Sequence, residues 1–239
     1  MITFVVPAHN EEQLLPATLE SIHEACTHVG EPYEVVVADD ASTDSTARIA
    51  KAFGARVVSV EHRQIAATRN SGAAASQADW LIFVDADTLI TPDVLQATVD
   101  ALEGGAVGGG ARVDFEGDAP PLVRLLAGIF EPFYFWLRLA AGCYVFCTRE
   151  AFEQAGGFDE QLYASEEITL SNELKKLGPF VVLPQRVITS GRKLRTHTVG
   201  EMLRPAVAMM LQGRKTFDKR DGLDLWYGPR RDDSPAKRQ

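Results

Sequence analysis

The chain has 239 residues, 46% of them apolar and 24% charged, and a formal net charge of −9. This length and balance suit one substantial hydrophobic core and exclude a disordered chain. The negative charge argues against non-specific nucleic-acid binding, so cations for any anionic ligand must be gathered locally.

Apolar, β-rich runs at 2–6, 34–38, 56–60 and 80–84 predict four strands. Between them, Pro16 suits a first helical position, with Leu15, Leu19 and Ile22 on one face. Ser42 or Asp44 caps a second helix that carries Ile49 and Phe53 and stops at Gly54, and the Ala-rich stretch 64–77 reads as a third. Strand, helix, strand in repetition predicts a parallel α/β sheet covered on both faces. After Pro92 the pattern changes. Residues 104–110 are too glycine-rich for a helix and lead into a strand ending near Val113, and 142–147 reads as another strand. The fold expected is α/β, with a mixed, mostly parallel central sheet flanked by helices. Residues 1–92 form its nucleotide-binding half, 93–200 its acceptor and catalytic half, and 201–239 a helical extension with a polar, mobile tail.

Residues 122–139 combine Leu125, Ile129, Phe130, Phe133, Tyr134 and Trp136 with few charges. Buried packing is the expected role, with a homodimer face or a lipid-facing surface as the alternatives. Three cysteines, Cys26, Cys143 and Cys147, lack metal-ligand spacing and predict buried thiols in a reducing compartment. With no charged leader and no run of about 18 uncharged apolar residues, the expected location is cytoplasmic. The basic residues Arg214, Lys215, Lys219, Arg220, Arg230 and Arg231 are either a solvated end or a contact to anionic lipid on the cytoplasmic membrane face.

In an open α/β sheet, ligands bind beyond the carboxyl ends of the strands. Those positions are polar here: Pro7-Ala8-His9-Asn10-Glu11, Asp39-Asp40-Ala41-Ser42, Glu61-His62-Arg63 and Asp85-Ala86-Asp87-Thr88. Two carboxylates one residue apart at the end of an apolar strand call for a cation or for hydrogen-bond donors. Asp85 and Asp87 therefore either hold a divalent metal, Mn or Mg, with a nucleotide diphosphate, or cap the helix at Thr91-Pro92-Asp93. Asp40 is expected to accept from a ribose or base, and Ser42 to cap the helix.

The order of motifs Phe4-Val5-Val6-Pro7-Ala8-His9-Asn10-Glu11, Asp39-Asp40-Ala41-Ser42-Thr43-Asp44, Arg69-Asn70-Ser71-Gly72 and Asp85-Ala86-Asp87 resembles the family 2 glycosyltransferases over residues 1–195. The resemblance implies an inverting enzyme of the GT-A nucleotide-diphospho-sugar transferase fold. Pro7, Ala8, His9, Glu11 and Asp40 would line the nucleoside side, Arg69 would lie near base or phosphates, Asp85 and Ala86 near ribose or metal, and Asp87 would ligate the metal. Ala164-Ser165-Glu166-Glu167 looks like the family's acidic catalytic motif, with Gly156-Gly157-Phe158-Asp159 upstream. It implies Glu167 as general base and Glu166 as its neighbour; read on their own, both acids favour a helix N-terminus. Gly142 would admit the donor sugar. Ser190-Gly191-Arg192-Lys193 looks like a basic segment that closes over the diphosphate, with His197 as a further contact if the loop folds back.

His9 and Glu167 depart from the residues usual in the family. The Gln-x-x-Arg-Trp motif and transmembrane helices of processive synthases are missing, which argues against a polymerase. The implied donor is a UDP- or GDP-sugar and the acceptor a saccharide, a lipid-linked group or a small molecule. The alternatives are a nucleotidyltransferase and a nucleotide-sugar-binding scaffold without turnover. No glycine-rich phosphate loop follows the first strand, which weighs against the former, and Asp85, Asp87 and Glu167 weigh against the latter.

Overall fold

The computed structural model describes residues 1–117 and 137–192, together with 196, 198, 200, 201, 220, 223 and 227. Strand β1 (Ile2–Ala8) is buried along its whole length. It pairs in parallel on one side with β2 (Tyr33–Asp40) and on the other with β4 (Trp80–Val84), while β3 (Arg56–Val60) extends the sheet beyond β2. Near-continuous valine, isoleucine and phenylalanine runs are what a parallel strand covered on both faces requires.

The rest of the sheet is mixed. Strands β5 (Thr88–Leu89), β6 (Gly108–Phe115), β7 (Tyr144–Thr148) and β8 (Phe180–Thr189) complete the order β3-β2-β1-β4-β7-β6-β8-β5. Strand β7 runs antiparallel to both β4 and β6, β8 runs parallel to β6, and β5 runs antiparallel to β8. The expected mixed, mostly parallel sheet is what forms. The glycine-rich stretch after Pro92 enters the strand itself. A Cβ on Gly109 would collide with the Val181 carbonyl and the Phe146 ring, so only glycine lets β6 lie this close to β8 and β7.

Helices cover both faces. On one side α1 (Leu15–Val29) and α4 (Pro92–Glu103) bury Leu15, Leu19, Ile22, Val94, Leu95 and Val99 against Phe4, Val6, Val37, Ile82 and Phe146. Proline opens each of these two helices. The short α2 (Thr46–Ala52) joins the same layer, and its first amide, that of Thr46, donates to Asp44 Oδ1 at 2.9 Å. On the opposite side α3 (Ile65–Ala74), α5 (Arg149–Gln154) and α6 (Glu166–Leu177) pack Ala66, Ala73, Phe152, Leu170 and Leu174 against Val5, Leu81, Phe83, Val145 and Cys147.

Cys26 and Cys147 are buried and Cys143 is half-buried, and all three are free thiols. Among the described residues no helix is long and apolar enough to cross a membrane. The aromatic stretch up to residue 136, most of the helical extension expected from residue 201, Lys193, His197 and nearly all of the basic tail lie outside the described residues.

Candidate active site

The carboxyl ends of β1, β2 and β4 lie side by side because the three strands are parallel neighbours. Pro7 and Ala8 remain inside β1, opposite Ala38 and Asp39, and so form a buried floor. His9, just beyond, is exposed, and its Nδ1 lies 2.6 Å from the Asp40 carbonyl, which fixes the proton on Nδ1. Asn10 takes a left-handed backbone, φ 53°. Its amide donates to Ser42 Oγ at 2.9 Å and its Oδ1 accepts from the Thr43 amide at 2.7 Å, tying the first two loops together.

The consecutive aspartates of β2 point to opposite faces, as strand geometry demands. Asp40 turns to the α3 side. Its carboxylate accepts from the Arg63 amide (2.8 Å), the Gln64 amide (3.2 Å) and Thr68 Oγ1 (2.9 Å), so it anchors the start of α3. Ser42, expected at the cap of the second helix, receives Asn10 instead, and Asp44 serves the helix. Asp39 faces the other layer. It is 6% exposed, and its Oδ1 is buried with no hydrogen-bond partner. Buried polar atoms are normally satisfied, so this oxygen marks a place for an incoming donor. The expectation above passed over Asp39; the two-residue alternation with Val35 and Val37 is the signal that separates it from Asp40.

Just past β4, the Asp85 amide donates to the Cys143 carbonyl at 3.2 Å and the Thr88 amide closes a turn on the Asp85 carbonyl at 3.0 Å. Ala86 is buried, its carbonyl accepting from Thr18 Oγ1 at 3.0 Å. Asp85 and Asp87 stay partly open, with side chains 29% and 17% exposed. Pairing of β5 with the end of β8 carries Ser190 and Arg192 to this turn, and the Ser190 amide donates to the Asp87 carbonyl at 3.0 Å. Arg192 spans two acids. Its guanidinium lies 3.3 and 3.2 Å from the two Glu11 oxygens and 3.7 Å from Asp87.

The second cluster centres on Arg69, 1% exposed. One terminal nitrogen donates to Glu166 Oε1 at 2.6 Å; the other donates to Asp85 Oδ1 at 2.8 Å and to the Gly142 carbonyl at 2.7 Å. The guanidinium carbon sits 5.2 Å from the centre of the Phe158 ring. Desolvation alone would disfavour a buried cation; Asp85 and Glu166 hold it firmly charged. Gly142 stands over the same cluster: a Cβ there would lie 3.4 Å from the Glu167 carboxyl carbon and 3.6 Å from Arg69.

Glu166 and Glu167 open α6 behind Ser165, whose left-handed φ of 64° is costly for a residue other than glycine. Glu166 is buried against Arg69. Burial, and then the Glu166 charge beside it, push the Glu167 carboxyl up to about 8, with Arg69 pulling the other way. Burial, then Asp85 and Asp87, hold the Cys143 thiol protonated.

Asp85, Asp87, Glu166 and Glu167 thus gather around two arginines at one sheet edge. Among the described residues no three histidine, cysteine or acidic side chains are grouped to hold a metal unaided. A diphosphate-bound divalent ion needs only one or two protein carboxylates. Asp85 and Asp87 supply that number of carboxylates, partly open to solvent, although the ion would have to share them with Arg69 and Arg192.

Residues 3–151, more than half of the chain, match the model of the Glycosyl transferase family 2. The undecaprenyl-phosphate 4-deoxy-4-formamido-L-arabinose transferase of Serratia proteamaculans is 31% identical over 115 residues, 44% of this chain and 34% of the relative. The chain spans only about a third of the length of such curated relatives. Among solved structures, the mannosyltransferase PcManGT of Pyrobaculum calidifontis in complex with GDP-Man and Mn2+ superposes with a TM-score of 0.65 at 22% identity, over 88% of this chain and 61% of that one. S. aureus TarS 1–349 in complex with UDP-GlcNAc gives 0.64 at 18% identity, over 89% and 67%. These likenesses establish the GT-A fold, and the family match establishes what kind of enzyme adopts it: the chain belongs to glycosyltransferase family 2.

Proposed function

We propose that the chain transfers a sugar, with inversion at the anomeric carbon, from a nucleoside-diphosphate donor to an acceptor hydroxyl, and that a divalent metal supports the transfer. The observation that carries this reading is the Arg69 bridge. One buried guanidinium joins Asp85, on the donor side, to Glu166, beside the general base. Donor carboxylates and catalytic pair are therefore held in one ionic cluster.

In this reading Pro7, Ala8 and the His9 backbone floor the nucleoside pocket. Asp39 supplies the open acceptor oxygen there, while Asp40 shapes the wall through α3. Asp87 and Asp85 would hold the metal, which would supply positive charge for the departing diphosphate. Arg192, with Glu11 behind it, adds a second positive group for the same oxygens. Glu167 accepts the proton from the acceptor hydroxyl while that oxygen bonds to the anomeric carbon. The bond from that carbon to the diphosphate breaks in the same displacement, and its electron pair leaves with the nucleoside diphosphate. The Serratia relative's name and the ligands of the two neighbours support a UDP- or GDP-sugar donor and a saccharide or lipid-linked acceptor.

Calorimetric titration of UDP, GDP and their sugars, with and without Mn2+, tests this. The wild-type chain should bind one nucleotide series more tightly with Mn2+, and Asp87→Ala should lose that increment. Equal binding with and without metal in both proteins would refute the metal assignment.

A further inference from the structure

Residues 155–165, which deliver Glu166 and Glu167 to the site, form neither helix nor strand, so their position depends on what grips them from outside. One grip comes from α3. Gln64 Nε2 donates to the carbonyls of Glu160 (3.0 Å) and Leu162 (2.6 Å), and Asn70 holds both the amide and the carbonyl of Phe158, at 2.9 Å each. The other comes from far along the chain. Leu223, 1% exposed, clusters with Leu162 and Ala164. The Tyr227 ring meets the Tyr163 ring edge-on, centroids 5.6 Å apart, and its hydroxyl lies 3.5 Å from the Ile65 amide at the start of α3.

This second grip is braced internally. The Tyr227 amide donates to the Leu223 carbonyl at 3.0 Å. The Arg220 guanidinium sits 5.1 Å from the Tyr227 ring centre and donates to the Tyr227 carbonyl at 3.1 Å. Leu162 and Ala164 are thus held by a short apolar clasp, with Ala164 one residue before the strained Ser165 and two before Glu166.

We propose that Leu223 and Tyr227 are positioning residues for the transfer step: they fix the loop that aims the catalytic glutamates, and they do so without contributing to donor binding. The proposal rests on the transfer reading above. A misplacement of about 1 Å at a reacting centre costs on the order of a hundredfold in rate, which sets the scale for loosening such a loop.

Hydrogen exchange on the full chain, combined with nucleotide binding and turnover, tests it in Leu223→Ala, Tyr227→Ala and Tyr227→Phe. In the two alanine variants, amides 160–169 should exchange at least about tenfold faster while those of β1, β2 and β4 stay as in the wild type. UDP or GDP affinity should hold within about twofold, and nucleoside diphosphate release from UDP- and GDP-sugars, with saccharides and a polyprenyl phosphate supplied as acceptors, should fall roughly ten- to a hundredfold. Tyr227→Phe keeps the ring contact with Tyr163 and loses only the 3.5 Å hydroxyl contact with Ile65, so it should recover most of the loss seen in Tyr227→Ala. Unchanged exchange at 160–169, acceleration spread equally through the strands, or a loss of affinity parallel to the loss of turnover would each overturn the proposal. A wild-type chain that releases no nucleoside diphosphate from any of these donors overturns the transfer reading instead, and exchange still reports on the clasp.

Discussion

Replacing Arg69 by Met keeps most of the buried stem and removes the charge. Glu166, whose side chain is 5% exposed, then loses its 2.6 Å partner where water hardly reaches, whereas Asp85, at 29%, can rehydrate. Breaking one partner out of a buried pair costs about 3–5 kcal/mol, and the Glu166 side accounts for most of it. In a chain of this length each kcal/mol moves Tm by roughly 2–4 °C, so the variant should melt roughly 6–20 °C lower at pH 8. The deficit should shrink at pH 5, because an unpaired buried carboxylate escapes its penalty by taking up a proton. Scanning calorimetry at both pH values measures this. A drop under about 2 °C at pH 8, or an equal drop at both, would refute the claim that the guanidinium is the counter-ion on which the acidic cluster depends.

Glu167→Gln should leave nucleotide affinity intact and lower turnover roughly 10²–10⁴-fold, the usual weight of a general base. Wild-type turnover should climb as pH rises through about 8, where Glu167 ionises; a flat profile from pH 6 to 9 would sink its role as base. Stability gives an independent readout. The folded state holds a proton on Glu167 between 4.5 and about 8 that the unfolded chain has lost, so wild-type stability falls with rising pH across that window. The glutamine variant is spared this loss, and its Tm advantage should be absent near pH 4 and grow towards pH 8. Asp39→Ala removes a buried oxygen without a partner and should therefore leave Tm unchanged or higher, yet weaken UDP or GDP binding by about tenfold, the value of one good hydrogen bond to a charged group. Undiminished binding in the calorimeter would remove Asp39 from the pocket.

The four parallel strands were legible because each is a short apolar run closed by polar residues, and the order of those polar loops pointed to the family. Finer placement was harder. Asp39 and Asp40 are chemically identical, and strand alternation separates them only once their place within β2 is known: Asp40 anchors the turn into α3, and Asp39 keeps an open oxygen. Arg69 was expected near base or phosphates; the structure adds that Asp85, Glu166 and the Gly142 carbonyl enclose it. Those partners stand 16, 97 and 73 positions away, beyond the reach of any local pattern. Tyr227 falls in the end of the chain that composition marked as polar and mobile, and Leu223 just before it. Their contacts with Leu162 and Tyr163 join positions more than 60 apart in the chain, which periodicity does not encode.

The order of the strands along the chain also sets when the β4 edge gains its partner during synthesis. After β4 the chain runs to the far border of the sheet to lay down β5, and the strand that seals β4, β7, begins only at Tyr144. Until β7 has been made, the apolar edge of β4, Trp80-Leu81-Ile82-Phe83-Val84, lacks the strand that covers it in the finished sheet. Such borders invite pairing with other chains. Pairing with β7 from Tyr144 onwards closes that edge.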